Sequence, residues 1–266
     1  MRKSLVSVAV LGALALSNAA IAADAAPAAP AAAPAPAYTI SYNVGLYSQY
    51  IFRGLTQTAE KPSIQGGVDF AHASGFYLGA WGSNISWLED GGTYDNSSLE
   101  LDVYGGYANT VGNIGYNIGA LQYIYPGKQL SGYKAAETTE VYGALSYKWL
   151  QAKMSYIVSK NGFGNANASG SYYAELNANI PLADSGVTAN LHVGRQEFDG
   201  SPAYANSNDD LYSYTDWKVG ATKAFSNGVN VGAYYADTDG STAGYGAYTG
   251  GNIAKSTFTA FVQKTF

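Results

Sequence analysis

Glu100 and Asp102, two residues apart in "SLELDVYGGY" (98–107), are of the type and spacing that suit acid–base work, since paired carboxylates can divide the roles of general acid and general base. His72 and His192 are the two imidazoles that could serve as bases. Asp209-Asp210 and Asp237-Thr238-Asp239-Gly240 have the look of calcium loops but lack the remaining ligands of an EF-hand. With 0 cysteines, thiolate metal sites, disulfides and an acylated-cysteine anchor are excluded. The bland readings weigh more. Acids two residues apart arise on any polar strand face, His72 falls in a short turn, and His192 reads as one polar residue among others. The sequence therefore predicts no catalytic residue, no metal site, no cofactor and no enzyme.

What positions these side chains is strict alternation. Leu99, Leu101 and Val103 share one side of a strand, and Glu100, Asp102 and Tyr104 the other. Alternation and turn clusters place twelve such strands, over 38–53, 63–71, 75–86, 98–107, 112–124, 138–148, 150–159, 171–180, 187–198, 212–224, 228–237 and 253–266. Most are long enough to cross a bilayer at a tilt and exceed the usual strand of a soluble sheet. "YLGAWGSNIS" and "NIGALQYIY" change phase partway, which predicts a bulge in each.

Alternation alone does not say which side meets water. In a soluble sandwich the leucines would face a core, whereas in a membrane barrel they would face lipid and the acids a wet lumen. Composition favours the barrel, because 12% charged residues are too few to coat a soluble surface. Connection lengths favour it too. The links at 71–75, 108–112, 149, 181–186 and 225–227 are short, and those between them are long, as periplasmic turns and extracellular loops alternate in outer-membrane barrels. Twelve strands leave both ends periplasmic.

With apolar faces in lipid, the lumen receives Arg53, Asp69, Glu100, Asp102, Glu140, Lys153, Glu175, His192, Asp216 and Lys218, the predicted pore-lining set. Tyr38, Tyr50, Tyr107, Tyr123, Tyr125 and Tyr212 fall near strand ends, where an interfacial girdle would lie. Phe258, Ala260, Val262 and Phe266 share the last strand's lipid face. Lys264 interrupts that face, by snorkelling to headgroups or through a bulge. A terminal Phe266 suits engagement by the outer-membrane assembly machinery. Twelve closed strands imply a backbone radius of roughly 12 Å and a bore of about 10 Å, which loops folded inward would close.

Upstream, Arg2 and Lys3, an apolar run from Leu5 to Leu16 and Ala20-Ile21-Ala22 read as a signal peptide over 1–22. An Ala/Pro-rich periplasmic linker follows over 23–37, and the barrel occupies 38–266. Removing Arg2 and Lys3 from 14 basic residues leaves 12 against 19 acidic ones, a net charge near −7 that disfavours nucleic acid as a partner. The mean hydropathy of −0.10 fits a barrel whose strands are half apolar.

"SQYIFRGLTQTAEKPSIQGGVDF" (48–70), "GFYLGAWGSNISW" (75–87) and "LELDVYGGY" occur in an order that resembles the TorF-like porin family, also catalogued as a conserved proteobacterial family of unknown function under the label Gcw. Ile85-Ser86 departs from the hydrophobic–acidic pair expected after Ser83-Asn84. The resemblance implies an outer-membrane channel of a Gram-negative bacterium. The sequence as a whole predicts an all-β, up-and-down transmembrane barrel in the bacterial outer membrane, partnered by the lipid bilayer and by small polar solutes that diffuse through passively. The alternative is a plugged structural or adhesin-like barrel working through its extracellular loops; an outer-membrane hydrolase ranks third. Arg53, in the "FRG" stretch, has two open roles: an anion contact, or a brace to a wall carboxylate such as Asp69, of which the brace is preferred.

Overall fold

A computed structural model of the chain describes residues 36–201 and 207–266. The predicted signal peptide and almost all of the linker lie outside the described residues. Twelve antiparallel strands close into one barrel: β1 (Tyr38–Tyr47), β4 (Ser63–His72), β5 (Phe76–Asn84), β6 (Leu99–Val111), β7 (Ile114–Ile124), β8 (Thr138–Tyr147), β9 (Leu150–Ile157), β10 (Tyr172–Pro181), β11 (Val187–Glu197), β12 (Tyr214–Ala224), β13 (Val229–Thr238) and β14 (Thr257–Thr265). The remaining pair, β2 (Ile51–Phe52) and β3 (Leu55–Thr56), forms a separate hairpin. β1 closes the ring on β14, with Asn43 opposite Thr265 and Tyr47 opposite Phe261.

The leucines of the opening stretch face outward. Leu99, Leu101 and Val103 are exposed, while Glu100, Asp102 and Tyr104 are buried inside. The same sorting runs around the ring. Ile40, Ile64, Leu78, Ile118, Leu145, Met154, Leu176, Val193, Val219 and Val231 form an exposed apolar belt that no water-facing surface would carry. The belt identifies a transmembrane, outer-membrane type of barrel, its hydrocarbon partner being the bilayer.

Two expectations change, and one open alternative is resolved. The expected bulges in β5 and β7 are absent, since both strands pair in unbroken register with their neighbours. The apparent phase shift arises because Trp81 and Leu121 point inward, where apolar packing awaits them near the extracellular end. Tyr50, Tyr123 and Tyr125 do not join a lipid girdle; they are buried in that same inner cluster. The aromatic ring at the periplasmic rim is built by Tyr38 stacked on Phe70 and by Phe76 edge-on to Tyr107. Lys264 snorkels: β14 holds register without a bulge, and the ammonium donates to the carbonyl of Asn227 in the turn below.

The long connections do not float above the barrel. Ser86 N donates to Gln57 O at 2.8 Å, Thr56 N to Ile253 O at 3.0 Å and Thr249 N to Asp90 O at 2.8 Å, so loops 48–62, 85–98 and 239–256 are knitted into one cap. Short helices α1 (Trp87–Asp90) and α3 (Thr242–Tyr245) sit within it, and α2 (Asn208–Tyr212), from the connection after β11, joins it where the Tyr245 hydroxyl donates to Tyr212 O. Burial pushes the phenol of Tyr248 up to about 12, so that side chain is neutral in physiological buffer.

Candidate functional site

The first long connection turns into the barrel rather than away from it. The strand expected over 38–53 ends at Tyr47, and Ile51–Phe52 pairs back on Leu55–Thr56 through the two-residue turn Arg53-Gly54. Both turn residues are left-handed, at φ +46° and +81°, the conformation of a type I′ hairpin. Gly54 is required twice over, because a Cβ there would stand 2.6 Å from the Cβ of Asp216 on β12. Tyr50, at the hairpin's base, donates its phenol to Glu100 Oε1 on β6 at 2.6 Å. β6 and β12 lie six steps apart around the twelve-strand ring, on opposite walls. The hairpin therefore crosses the lumen.

Arg53 fastens its tip. Nη1 and Nη2 donate to the two carboxylate oxygens of Glu140 at 2.9 and 2.8 Å, and Nη1 also donates to Gln196 Oε1 at 2.9 Å. The guanidinium stands 4.3 Å from the Tyr173 ring centre and 4.8 Å from that of Phe52. Side-chain exposure is 7% for Arg53 and 1% for Glu140, so breaking the pair from one side would cost roughly 3–5 kcal/mol. The preferred brace role fits this geometry, but with a different partner and a different attachment. Arg53 rides on a hairpin rather than on the wall, and Asp69 instead accepts from Tyr104 at 2.6 Å.

On the periplasmic side of the hairpin lies a chamber of about 150 Å³, roofed by Ile51, Phe52, Arg53 and Gly54. Its wall carries a linked polar strip. His192 Nε2 lies 3.0 Å from Asp216 Oδ1 and 2.9 Å from the Tyr173 hydroxyl, which itself donates to Asp216 Oδ2 at 2.8 Å. His192 Nδ1 lies 2.7 Å from Asn177 Oδ1, whose amide nitrogen donates to Glu175 Oε2 at 2.9 Å. Lys153 stands 3.8 Å from Glu175 Oε1 and over the ring of Tyr142. Lys218 lies over the ring of Tyr234.

The sequence-derived residues thus fall at two levels. Glu100, Asp102 and Glu140 flank the hairpin near the extracellular end; Lys153, Glu175, His192, Asp216 and Lys218 line the barrel around the chamber. Asp102 is 1% exposed, with both carboxylate oxygens lacking a hydrogen-bond partner among the described residues. Asp210 closes a capping box with Ser207 on α2, and Asp239 Oδ1 accepts from Thr215 N at 2.6 Å, so both acids serve local backbone. His72 pairs with Ser74 in its turn. Sequence reasoning missed Tyr50 and Phe52 as parts of the hairpin, and Phe163, Tyr173 and Gln196 as its partners, with Phe163 packed on Phe52 and Arg53. "IF-RG-LT" held a signal for it, a two-residue turn with glycine second between two short pairs of strand-forming residues.

Against solved structures, the chain is similar to the KdgM porin at 9% identity over 85% of this chain and 98% of that one, with a TM-score of 0.50. It is similar to the NanC porin at 12% identity over 86% and 99%, with a TM-score of 0.51. At these identities the likeness is one of fold, a closed porin-type barrel spanning nearly the whole of each relative. No match is found among the curated proteins. The family model described as "bacterial protein of unknown function (Gcw_chp)" matches residues 31–266, which takes in the whole barrel and the hairpin within it, and the chain belongs to that family.

Proposed function

We propose that this protein is an outer-membrane channel for passive diffusion of small hydrophilic solutes, with the β2–β3 hairpin as the element that limits passage. The observation that carries the reading is the inner wall below the hairpin, where charged, amide and phenol groups from β7 to β13 line a chamber inside a closed barrel. A dead plug needs only packing, whereas a path for polar solutes needs a surface that exchanges hydrogen bonds with them. Of the ten predicted pore-lining residues, Arg53, Lys153, Glu175, His192, Asp216 and Lys218 are assigned to this chamber, and Asp69, Glu100, Asp102 and Glu140 to the barrel wall outside it. A second reading, a plugged barrel working through its cap, draws support from the hairpin's ties to opposite walls.

Planar-bilayer recordings of refolded protein test the choice. A small conductance in the unmodified protein, increased in Arg53→Ala, is expected. Silence of both proteins at all voltages would establish the plugged barrel instead.

A further inference from the structure

The charged groups in and beside the chamber beneath the hairpin, three cations (Arg53, Lys153, Lys218) and three acids (Glu140, Glu175, Asp216), are unevenly paired. Asp216 is engaged by the Tyr173 hydroxyl and His192, Glu175 accepts from the Asn177 amide with Lys153 only in ion-pair range, and Glu140 is engaged by Arg53. Each acid therefore has its donors. Lys218 does not have the reciprocal: among the described residues no carboxylate comes within ion-pair distance of its ammonium, which the Tyr234 ring holds at 5.2 Å from its centre. Lys153 is similarly held over Tyr142 at 4.8 Å, and its acid at 3.8 Å is beyond hydrogen-bond reach. Two ammonium groups thus face the chamber with donors to spare, each fixed by an aromatic ring. Gln151 and Asn179 on neighbouring strands add amides suited to hydroxyl groups.

We infer that this chamber is a binding site for a small hydroxylated carboxylate, its anionic group held by Lys218 and Lys153 and its hydroxyls by the amide wall. The inference rests on the channel reading for its physiological meaning but not for its test, because binding from the periplasmic side needs no open hairpin. A carboxylate supplies the lone pairs that an ammonium on a ring face lacks, and its charge offsets the cost of leaving Lys218 without an acid in a confined space. A neutral polyol would gain only the amide contacts.

Equilibrium titration of the full chain in detergent micelles is the experiment, with glycerate, glycerol and inorganic phosphate as probes. Glycerate is expected to bind at least tenfold more tightly than glycerol and more tightly than phosphate. Lys218→Met should weaken it at least tenfold, Lys153→Gln severalfold, and Lys223→Gln, in a lysine that reaches the periplasmic turn instead, should leave it unchanged. Lys218→Arg, which keeps the charge, should retain binding and controls for misfolding in the Met variant. Equal binding of glycerate and glycerol, tighter binding of phosphate, or an unaltered Lys218→Met would each overturn the assignment. A conducting protein without glycerate binding would sink this inference alone, whereas glycerate binding in a silent barrel would sink the channel reading alone.

Discussion

Arg53 occupies a left-handed backbone position that an L-residue enters at a cost of about 1–2 kcal/mol, and it carries a buried charge as well. What offsets both is the fork-to-fork pair with Glu140 together with the aromatic faces of Tyr173 and Phe52. Glu140→Gln keeps the volume and removes the charge, leaving the guanidinium in place without its counterion. Because the barrel wall is hydrogen-bonded independently of the hairpin, the loss should appear as local opening. Amide hydrogen exchange over 51–56 is expected to speed up at least tenfold while exchange in β10 and β11 stays as slow as before. Unchanged exchange at 51–56 would mean that packing alone holds the tip. Residue by residue, the opposite facing of the β6 leucines and acids was legible, since alternation is a local property, whereas the inward Tyr50, Tyr123 and Tyr125 were not. The partner of Arg53 was hidden, because Glu140 is 87 positions away and meets it only once the ring has closed.

At the scale of the elements, the twelve strands were legible because two-residue periodicity, long spans and alternating turn lengths agree with one another. The hairpin was not, because its own alternation continues that of β1, so 38–53 reads as one strand until Gly54 is treated as a turn residue. The inward Trp81 and Leu121 misled for a related reason. Binary pattern assumes a uniformly polar lumen, and here the upper lumen is an apolar core formed by Tyr50, Phe52 and Tyr123. Gly54 is the element's weakest point. Gly54→Ala combines a left-handed φ with a collision against Asp216, whereas Gly92→Ala, at φ +63° with nothing within 4 Å, meets the backbone penalty alone. Single-channel recording should therefore show a larger or more often open conductance for Gly54→Ala and an unaltered trace for Gly92→Ala. Equal traces would remove the hairpin from the conduction path.

At the scale of the whole molecule, the scarcity of charge follows from having two surfaces that do not want it. The outer belt lies against hydrocarbon, and much of the inner surface is tyrosine, asparagine and glutamine, with tyrosine rings laid over inward glycines such as Tyr104 on Gly79. Inside, Arg53–Glu140 and Lys153–Glu175 form ion pairs and His192 pairs with Asp216, while Asp69 and Glu100 accept from tyrosine phenols. Leu176 tests the outer half of this division. It lies mid-strand in β10, 44% exposed, opposite Ala152 and Val193. In lipid, Leu176→Arg places a guanidinium near the midplane and should cost about 2–4 kcal/mol. Tryptophan fluorescence during urea unfolding from lipid vesicles would read it as a lower midpoint at unchanged slope. At the rim the penalty should shrink, so Leu182→Arg, in the periplasmic turn after β10, should cost under about 1 kcal/mol. A soluble protein with an exposed Leu176 would tolerate both changes equally, so the depth dependence, rather than either value alone, separates a belt in hydrocarbon from a merely apolar surface.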